Sequence, residues 1–230
     1  MTLTIEKMFK AGIHFGHPIS QRNPKMSPYI YTEKNNIQII DIIKTYFYIN
    51  KTSKFLFESC SQGKRILFVG TKKHISKLIE KTAKNSNSWY INKRWIGGLL
   101  TNWKTIKKSI MKLREFEYLE KEGFFLSLSK KENSKFKKKK NKLNKYFSGI
   151  KTMFNLPDII IIIGQLKELN AIKESQSLNI PIITIVDTNC DPNLSDHFIP
   201  ANDDSITSLN LILNEFEKAI IEGYKKMLIK

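Results

Sequence analysis

Three aspartates near the end of the chain are the side chains best suited to catalysis or metal binding. Asp187 follows an apolar run, and Asp203 and Asp204 close the stretch DTNCDPNLSDHFIPANDD at residues 187–204. Clustered carboxylates could hold a hard cation or zinc, and enzymes with a parallel sheet place catalytic groups after a strand. One hypothesis is therefore a nucleotide- or metal-dependent α/β hydrolase. The alternative is structural, because Asp203 and Asp204 also suit the first turn of a helix.

Two histidines near the N-terminus raise the same question. His14 and His17 lie in KAGIHFGHPIS, each beside a glycine. A helical zinc site needs H-x-x-x-H with a glutamate alongside, and this stretch has neither. Gly12 and Gly16 favour a loop over a helix. We therefore predict that the histidines order a glycine-containing loop by hydrogen bonding.

A nucleotide cofactor is not indicated by the glycines of the sequence. The first strongly apolar run leads into FVGTKKH, which carries a single glycine, Gly70. Dinucleotide sites need G-x-G-x-x-G and the Walker pattern is also absent, so we predict no cofactor and no small-molecule substrate. Gly70 favours a tight turn from strand to helix. Lys72 and Lys73 open that helix, where backbone amides favour anions, so both are candidates for contact with an RNA phosphate.

Cations alternate with tryptophans in YINKRWIGGLLTNWKTIKKS, residues 90–109. Such surfaces bind RNA loops through phosphate pairing and base stacking. The alternative is that Trp95 and Trp103 are core residues. Gly97 and Gly98 are expected to form a flexible, exposed elbow. The candidate RNA contacts in this stretch are Arg94, Trp95, Lys104, Lys107 and Lys108.

Positive charge is concentrated in the middle of the chain. The sequence has 39 Lys and Arg against 21 Asp and Glu, a net charge of +18, which points to nucleic acid or an anionic membrane as partner. Residues 104–151 hold sixteen Lys and Arg and five Glu. The run KFKKKKNK at 135–142 repels itself too strongly for a core, and we predict a phosphate-facing surface, with a solvated charged tail as the alternative. The lysines lie on no large hydrophobic face, which argues against membrane binding.

Apolar residues within this basic segment recur at helical spacing. The pattern predicts two helices, each with one narrow apolar stripe, packed as a projecting hairpin over residues 104–150. Gly123 and the stretch SLSKKENS, residues 127–134, are expected to break the chain between the helices. The two stripes are Ile106, Ile110, Leu113, Phe116 and Leu119, and Phe136, Leu143, Phe147 and Ile150.

The flanking chain alternates buried strands with helices. The apolar runs RILFVG, PDIIIIIG and IPIITIVD are separated by helical patterns, which predicts a parallel sheet covered on both faces. The closing stretch SITSLNLILNEFEKAIIEG predicts an amphipathic helix that ends at Gly223. The expected organisation is a discontinuous α/β domain, residues 1–103 and 151–230, interrupted by the helical hairpin.

Bulk composition limits the possible environments. Two cysteines make a disulfide framework improbable and fit a reducing compartment. No apolar run approaches the roughly 20 residues that cross a bilayer. The N-terminal residues show neither a signal-peptide nor a transit-peptide pattern, so we expect the protein to work where it is made.

Five blocks of the sequence together resemble the bacterial type of small-subunit ribosomal protein 2. They are AGIHFGHPISQRNPKMSPYIY, FVGTKK, NKRWIGGLLTNWKTI, GIKTMFNLPDIIIII and IPIITIVDTNCDPNLSDHFIPANDD, in the same order as in that family. The segments LLTNW and VDTNCDP are most similar to those of plastid-encoded members. The resemblance implies a flavodoxin-like sheet flanked by helices with an inserted coiled-coil hairpin, and a structural role without catalysis.

The resemblance also implies partners and a compartment. We expect binding to small-subunit rRNA and to other small-subunit ribosomal proteins, in the plastid stroma, with a bacterial cytoplasm as the alternative. The predicted rRNA contacts are Arg22, Lys25, Lys72, Lys73, Arg94, Trp95, Lys104, Lys107, Lys108, Lys137, Lys138, Lys139 and Lys140.

Overall fold

The N-terminal quarter of the chain forms a small antiparallel sheet between two helices. The computed structural model describes residues 3–123 and 129–229. Its first elements are α1 (Ile5–Lys10), β1 (Phe15–Pro18), β2 (Ile30–Lys34), β3 (Ile37–Ile40) and α2 (Ile42–Ser61). The strand order is β1–β3–β2. Asn35 and Asn36 have φ values of 52° and 62°, the left-handed geometry that a two-residue turn between antiparallel strands requires.

A five-stranded parallel sheet forms the centre of the protein. The remaining elements are β4 (Ile66–Val69), α3 (Ser76–Asn85), β5 (Trp89–Ile91), α4 (Trp103–Lys121), α5 (Lys130–Phe147), β6 (Ile159–Ile163), α6 (Leu169–Ser177), β7 (Ile182–Val186), β8 (His197–Pro200) and α7 (Ile206–Ile229). The spatial order is β5–β4–β6–β7–β8. Counted from β4, this is the order 2-1-3-4-5 of the flavodoxin-like fold. The predicted fold class is confirmed.

Alternate residues of the central strands enter two separate cores. On one face Ile66, Phe68 and Ile161 pack with α2, α3 and α7. On the other face Leu67 and Ile160 pack with α6 and with the first turns of the helical hairpin. Both faces are apolar because helices cover both, which is why the strands read as continuous apolar runs.

The two middle helices pair as the apolar stripes predict. Ile106, Ile110 and Leu113 of α4 are buried in the second core together with Phe147 at the end of α5. Farther out, the rings of Phe116 and Phe136 lie 4.3 Å apart between centroids. The roots of α4 and α5 therefore belong to the core of the sheet, while their outer turns extend beyond it.

The predicted break between these two helices extends too far toward the C-terminus, because its last residues belong to α5. The backbone turns at Gly123, with φ of 72°, as expected. Helix α5 begins at Lys130, because the Ser129 and Glu132 side chains cap each other's backbone amides. Residues 130–134 are thus helical, against the prediction. Residues 127 and 128 lie outside the described residues.

The sequence predicts that the last helix ends at Gly223, and this prediction is wrong. Helix α7 continues to Ile229, and Gly223 is buried inside it against α2. A Cβ atom at this position would lie 2.7 Å from Cys60 Cβ and 2.7 Å from the Phe57 carbonyl oxygen. The glycine is required for close packing of α7 on α2 and not for termination.

Candidate nucleic-acid interface

Lys72 lies across the crevice at the carboxyl edge of the central sheet, beside a remaining cavity of about 250 Å³. In this fold ligands bind where the strand order reverses, here between β4 and β6. The Lys72 ammonium lies 2.7 Å from Asp203 Oδ1 and 2.8 Å from Asp204 Oδ1. Gly164, which follows β6, has φ of 85°, and a Cβ there would come within 2.9 Å of Lys72 Cε. The glycine leaves room for the lysine to cross the crevice.

His17 completes this group of charges, which we call the edge cluster: His17, Lys72, Asp187, Asp203 and Asp204. His17 Nδ1 lies 3.1 Å from Asp187 Oδ1, and Nε2 lies 3.4 Å from Asp204 Oδ2. The hydrogen bond to Asp187 raises the pKa of His17, against the opposing effect of burial. Burial works to lower the pKa of Lys72, but Asp203 and Asp204 raise it overall.

A cavity adjoins the edge cluster, but the pairing of the cluster's charges does not favour the hydrolase hypothesis. Its three carboxylates are paired with two cations of the same chain, so they are not arranged to receive a metal or a substrate. Within residues 3–123 and 129–229 no group of three or more His, Cys, Asp or Glu side chains could hold a metal ion. Burial raises the pKa of Cys190 to about 12, which keeps its thiol protonated at neutral pH.

The glycine-histidine loop is held against the turn that follows β7. A Cβ at Gly16 would lie 2.5 Å from Thr188 Cγ2, so only glycine fits. The His17 amide donates to Thr188 Oγ1 at 2.9 Å. His14 contributes differently from the prediction, because its buried ring stacks on Phe9 at 4.4 Å between centroids and burial lowers its pKa. Packing therefore explains His14, whereas His17 also pairs with Asp187 and Asp204.

Glu174 of α6 holds the glycine elbow that was expected to be flexible. Its Oε1 accepts hydrogen bonds from Trp95 Nε1 at 2.9 Å and from the Gly98 amide at 2.8 Å. Its Oε2 accepts from the Leu100 amide at 2.9 Å. Trp95 is 8% exposed and packs in the second core, and the partly buried Trp103 also packs against that core. The core alternative therefore holds for Trp95, whose ring has no free face for a base.

Several predicted cation contacts are already occupied within the protein. Arg22 donates to Ser27 Oγ at 2.7 Å and to Glu33 Oε1 at 3.3 Å. Lys25 pairs with Asp191 at 2.5 Å. Lys140 of α5 pairs with Glu120 of α4 across the hairpin. With Lys72, these four side chains have partners within the chain, and Lys72 is the most buried of them.

The other predicted cations face solvent on two surfaces. On the hairpin, Lys107 is half-buried and Lys104, Lys108, Lys137, Lys138 and Lys139 are exposed. Near the carboxyl ends of β4 and β5, Lys73 and Arg94 line a common pocket. Two further cations of that pocket, Lys93 and Lys145, were not among the predicted contacts. The position of Lys93 beside Arg94 was a usable signal, whereas the approach of Lys145 depends on how α5 packs.

The sequence that forms this sheet and hairpin matches one known protein family. The model of the family described as ribosomal protein S2 matches residues 8–223. The chain belongs to the ribosomal protein S2 family. The match covers the α/β domain and the inserted helices alike, and it confirms the resemblance drawn from the five sequence blocks.

Curated relatives in the S2 family cover nearly the whole chain. A protein of Oltmannsiellopsis viridis named small ribosomal subunit protein uS2c is 54% identical over 97% of this chain and 94% of its own length. The uS2c protein of Chlorella vulgaris is 48% identical over 97% of this chain and 84% of its own. A Synechococcus protein named small ribosomal subunit protein uS2 is 47% identical over 96% of this chain and 84% of its own.

The remaining alternative of the sequence analysis was a membrane surface. Among the helices that the structure describes, none is both long and apolar enough to cross a membrane. Among the lysines of α5, Lys137, Lys138 and Lys139 occupy three consecutive exposed positions.

Proposed function

We propose that this chain is a structural constituent of the small ribosomal subunit that binds small-subunit rRNA and supports translation without catalysis. The observation that carries the proposal is the S2-family match over residues 8–223, joined to relatives named as small-subunit proteins over 96–97% of the chain. The paired carboxylates of the edge cluster agree with a structural role. The hydrolase alternative has support from neither source.

The hairpin is proposed to bind rRNA through phosphate contacts. Lys137, Lys138 and Lys139 are exposed, and within the described residues none of them contacts a carboxylate. Lys104, Lys107 and Lys108 extend the basic surface along α4. Lysine–phosphate contacts release counterions, so affinity should fall by about 10³-fold or more between about 50 and 200 mM salt if about six phosphates are engaged.

We propose that the hairpin is an RNA-binding insertion in a discontinuous α/β domain. The insertion is residues 104–150, and the α/β domain is residues 1–103 and 151–230. The burial of Ile110 and Phe147 beneath the sheet supports a rigid attachment, because a shared core resists bending at the junction. The outer turns of α5 would then reach RNA at a fixed angle.

Neighbouring ribosomal proteins are the second proposed class of partner. Phe9, Phe15, Tyr31 and Ile43 are exposed around one apolar pocket of about 590 Å³ on the N-terminal sheet. Contiguous apolar surface of this kind is typical of protein–protein contacts.

The proposed location is the ribosome of the plastid stroma. Relatives from Oltmannsiellopsis viridis, Chlorella vulgaris and Mesostigma viride carry the name uS2c, that of the chloroplast form. The cyanobacterial relatives are 45–47% identical to this chain, so a bacterial cytoplasm is the alternative location.

Competition for incorporation into small subunits tests the proposal. A tagged triple variant, Lys137→Glu, Lys138→Glu and Lys139→Glu, should enter small subunits poorly when expressed beside the untagged wild type. Lys140 is left unchanged because it pairs with Glu120. The matched control is Lys54→Glu, Lys77→Glu and Lys81→Glu, which makes the same charge change at exposed positions of α2 and α3. Equal incorporation of both variants would show that Lys137, Lys138 and Lys139 do not belong to the rRNA interface.

A further inference from the structure

A cationic pocket lies between the α/β domain and the root of the hairpin. It has a volume of about 570 Å³. One wall consists of the residues that follow β4 and β5, and the other is the last turn of α5. We call it the root pocket. Its lining residues are Thr71, Lys73, Ser76, Asn92, Lys93, Arg94, Lys145 and Tyr146.

Cations outnumber acids around the root pocket. Four of its eight lining residues are Lys or Arg, and among the described residues no carboxylate lines it. Two acids bond to lining residues without lining the pocket themselves. Glu80 binds Lys84 at 2.7 Å and accepts from the Asn92 side-chain amide at 3.3 Å, and buried Glu168 accepts from the Thr71 backbone amide at 2.9 Å.

The wall formed by the α/β domain is held in place before any ligand arrives. Asn92 is buried, and its Nδ2 donates to the Ser76 carbonyl oxygen at 3.0 Å. Lys93 Nζ lies 3.4 Å from Ser76 Oγ. Immediately after Arg94, Trp95 is fixed by Glu174. The cations therefore sit on an ordered backbone, which lowers the entropy cost of binding an anion.

The start of α3 adds a second attraction for anions. The short 3₁₀ turn Lys73–Ile75 leads directly into α3, and no described side chain caps either segment. The start of a helix carries partial positive charge, which attracts anions. Ser76, the first residue of α3, lines the pocket, and its own amide donates to the Lys73 carbonyl oxygen.

We propose that the root pocket binds consecutive phosphates of one rRNA strand that crosses the base of the hairpin. This rests on the proposed function, and it assigns that function a second, structured phosphate site apart from Lys137, Lys138 and Lys139. Small-molecule pockets are lined mostly by apolar residues. Tyr146 is the one aromatic residue among the eight that line this pocket, so its chemistry fits a phosphate backbone better than a nucleotide base.

Binding in the root pocket would join the two parts of the protein. Lys145 comes from the hairpin, and Lys73, Lys93 and Arg94 come from the α/β domain. A phosphate strand held by both walls opposes movement of the hairpin relative to the sheet. The pocket would thereby set the direction in which the outer lysines of α5 meet RNA.

Salt-dependent binding to purified plastid small-subunit rRNA tests the inference. The pocket variant is Lys73→Gln, Arg94→Gln and Lys145→Gln. The matched control is Lys77→Gln, Lys81→Gln and Lys173→Gln, all exposed and outside the pocket. Each lost phosphate contact lowers the slope of log K against log salt by about 0.7–0.9, so the pocket variant should lose about 2.1–2.7 and the control should match the wild type. Lys145→Gln alone should lose about 0.7–0.9 and serves if the triple variant fails to fold.

The outcomes separate this inference from the function on which it rests. A wild type that does not bind the rRNA overturns the proposed function and the pocket with it. A wild type that binds, with a pocket variant of unchanged slope, overturns the root pocket alone. Binding of ATP and of inorganic pyrophosphate is measured in parallel, to test whether the pocket takes a free phosphate compound. Tight binding of either, abolished in the pocket variant while the rRNA slope is unchanged, would assign the pocket to a small ligand instead.

Discussion

Lys72 and Lys73 are neighbours in sequence and belong to opposite kinds of site. Lys72 points into the edge cluster, where two carboxylates hold its ammonium within 2.8 Å. Lys73 is exposed and lines the root pocket, where no described carboxylate faces it. The comparison shows that a count of basic residues overstates the surface available to a polyanion. Cations paired within the chain stabilise the fold, and cations without partners remain free to bind phosphate.

The sharpest test of this distinction is a pair of equivalent substitutions. Lys72→Met leaves Asp203, whose side chain is 6% exposed, without its cation. Removing one partner of a buried ion pair costs about 3–5 kcal/mol, so the free energy of unfolding in urea should fall by that amount. Lys73→Met should change it by less than about 0.5 kcal/mol because the side chain is exposed.

In RNA binding the order of the two effects should be reversed: Lys73→Met should weaken binding and Lys72→Met should not. Lys73→Met should lower the salt slope of rRNA binding by about 0.7–0.9, while Lys72→Met, measured well below its unfolding midpoint, should keep the wild-type slope. Similar losses of stability in both variants would break the comparison between the two sites.

The next largest effect is expected at Glu174, which supports the wall of the root pocket from behind. Glu174→Gln replaces one acceptor oxygen with an NH₂ donor that faces backbone amides. Hydrogen bonds to a charged group contribute about 1.5–3 kcal/mol, and the unfolding free energy should fall within that range. Lys173→Gln, its exposed neighbour, is the control and should stay within about 0.5 kcal/mol of wild type. An unaffected Glu174→Gln would mean that the elbow at Gly98 is flexible after all.

On the side of the edge cluster, Gly16→Ala tests whether the N-terminal loop is fixed by close packing. The added methyl would meet Thr188 Cγ2 at 2.5 Å, and overpacking of this kind costs about 1–3 kcal/mol. Adding Thr188→Ser removes Cγ2 and keeps the hydroxyl that accepts from the His17 amide. The double variant should regain part of the loss in thermal unfolding. If it is no more stable than Gly16→Ala alone, contact with Thr188 is not the cause.

The smallest effect is the pH dependence that His17 gives to stability. Its pKa is raised in the folded state, so its contribution is complete below the unfolded value near 6.5 and is lost as pH rises through the folded pKa. His14 and His197 have pKa values lowered mainly by burial, so their contributions have the opposite sign and are lost as pH falls. The difference between wild type and His17→Gln isolates the contribution of His17.

That difference should be about 1 kcal/mol or less near pH 6 and should shrink toward pH 8, measured by urea unfolding across the range. A difference that is constant with pH would show that the His17 imidazole acts through packing alone. A difference that grows with pH would reverse the assigned direction of the pKa shift.

Local patterns in the sequence predict the central sheet and the hairpin well. The apolar runs around Ile66, Ile161 and Ile183 are long enough to indicate strands covered on both faces. The spacing of Ile106, Ile110 and Leu113 identifies the face of α4 that is buried. These features depend on residues close together in the chain.

Features that depend on distant residues could not be predicted in the same way. Lys72 meets Asp203 across 131 positions, and Trp95 meets Glu174 across 79. Gly223 was interpreted as a helix end because nothing nearby in sequence indicates the approach of Cys60. The small antiparallel sheet was missed although Asn35 and Asn36 are a recognisable turn signal, because its strands are short and β2 is largely exposed.

We propose that unpaired lysines attach this chain to small-subunit rRNA. Sedimentation of a native lysate through sucrose gradients at low and at high salt, with detection of this chain in each fraction, tests the attachment itself. The chain should migrate with the small subunit at low salt and be released toward the top at high salt, because phosphate contacts weaken steeply with ionic strength. A chain that remains at the top of the gradient at low salt would show that it is not attached to the subunit.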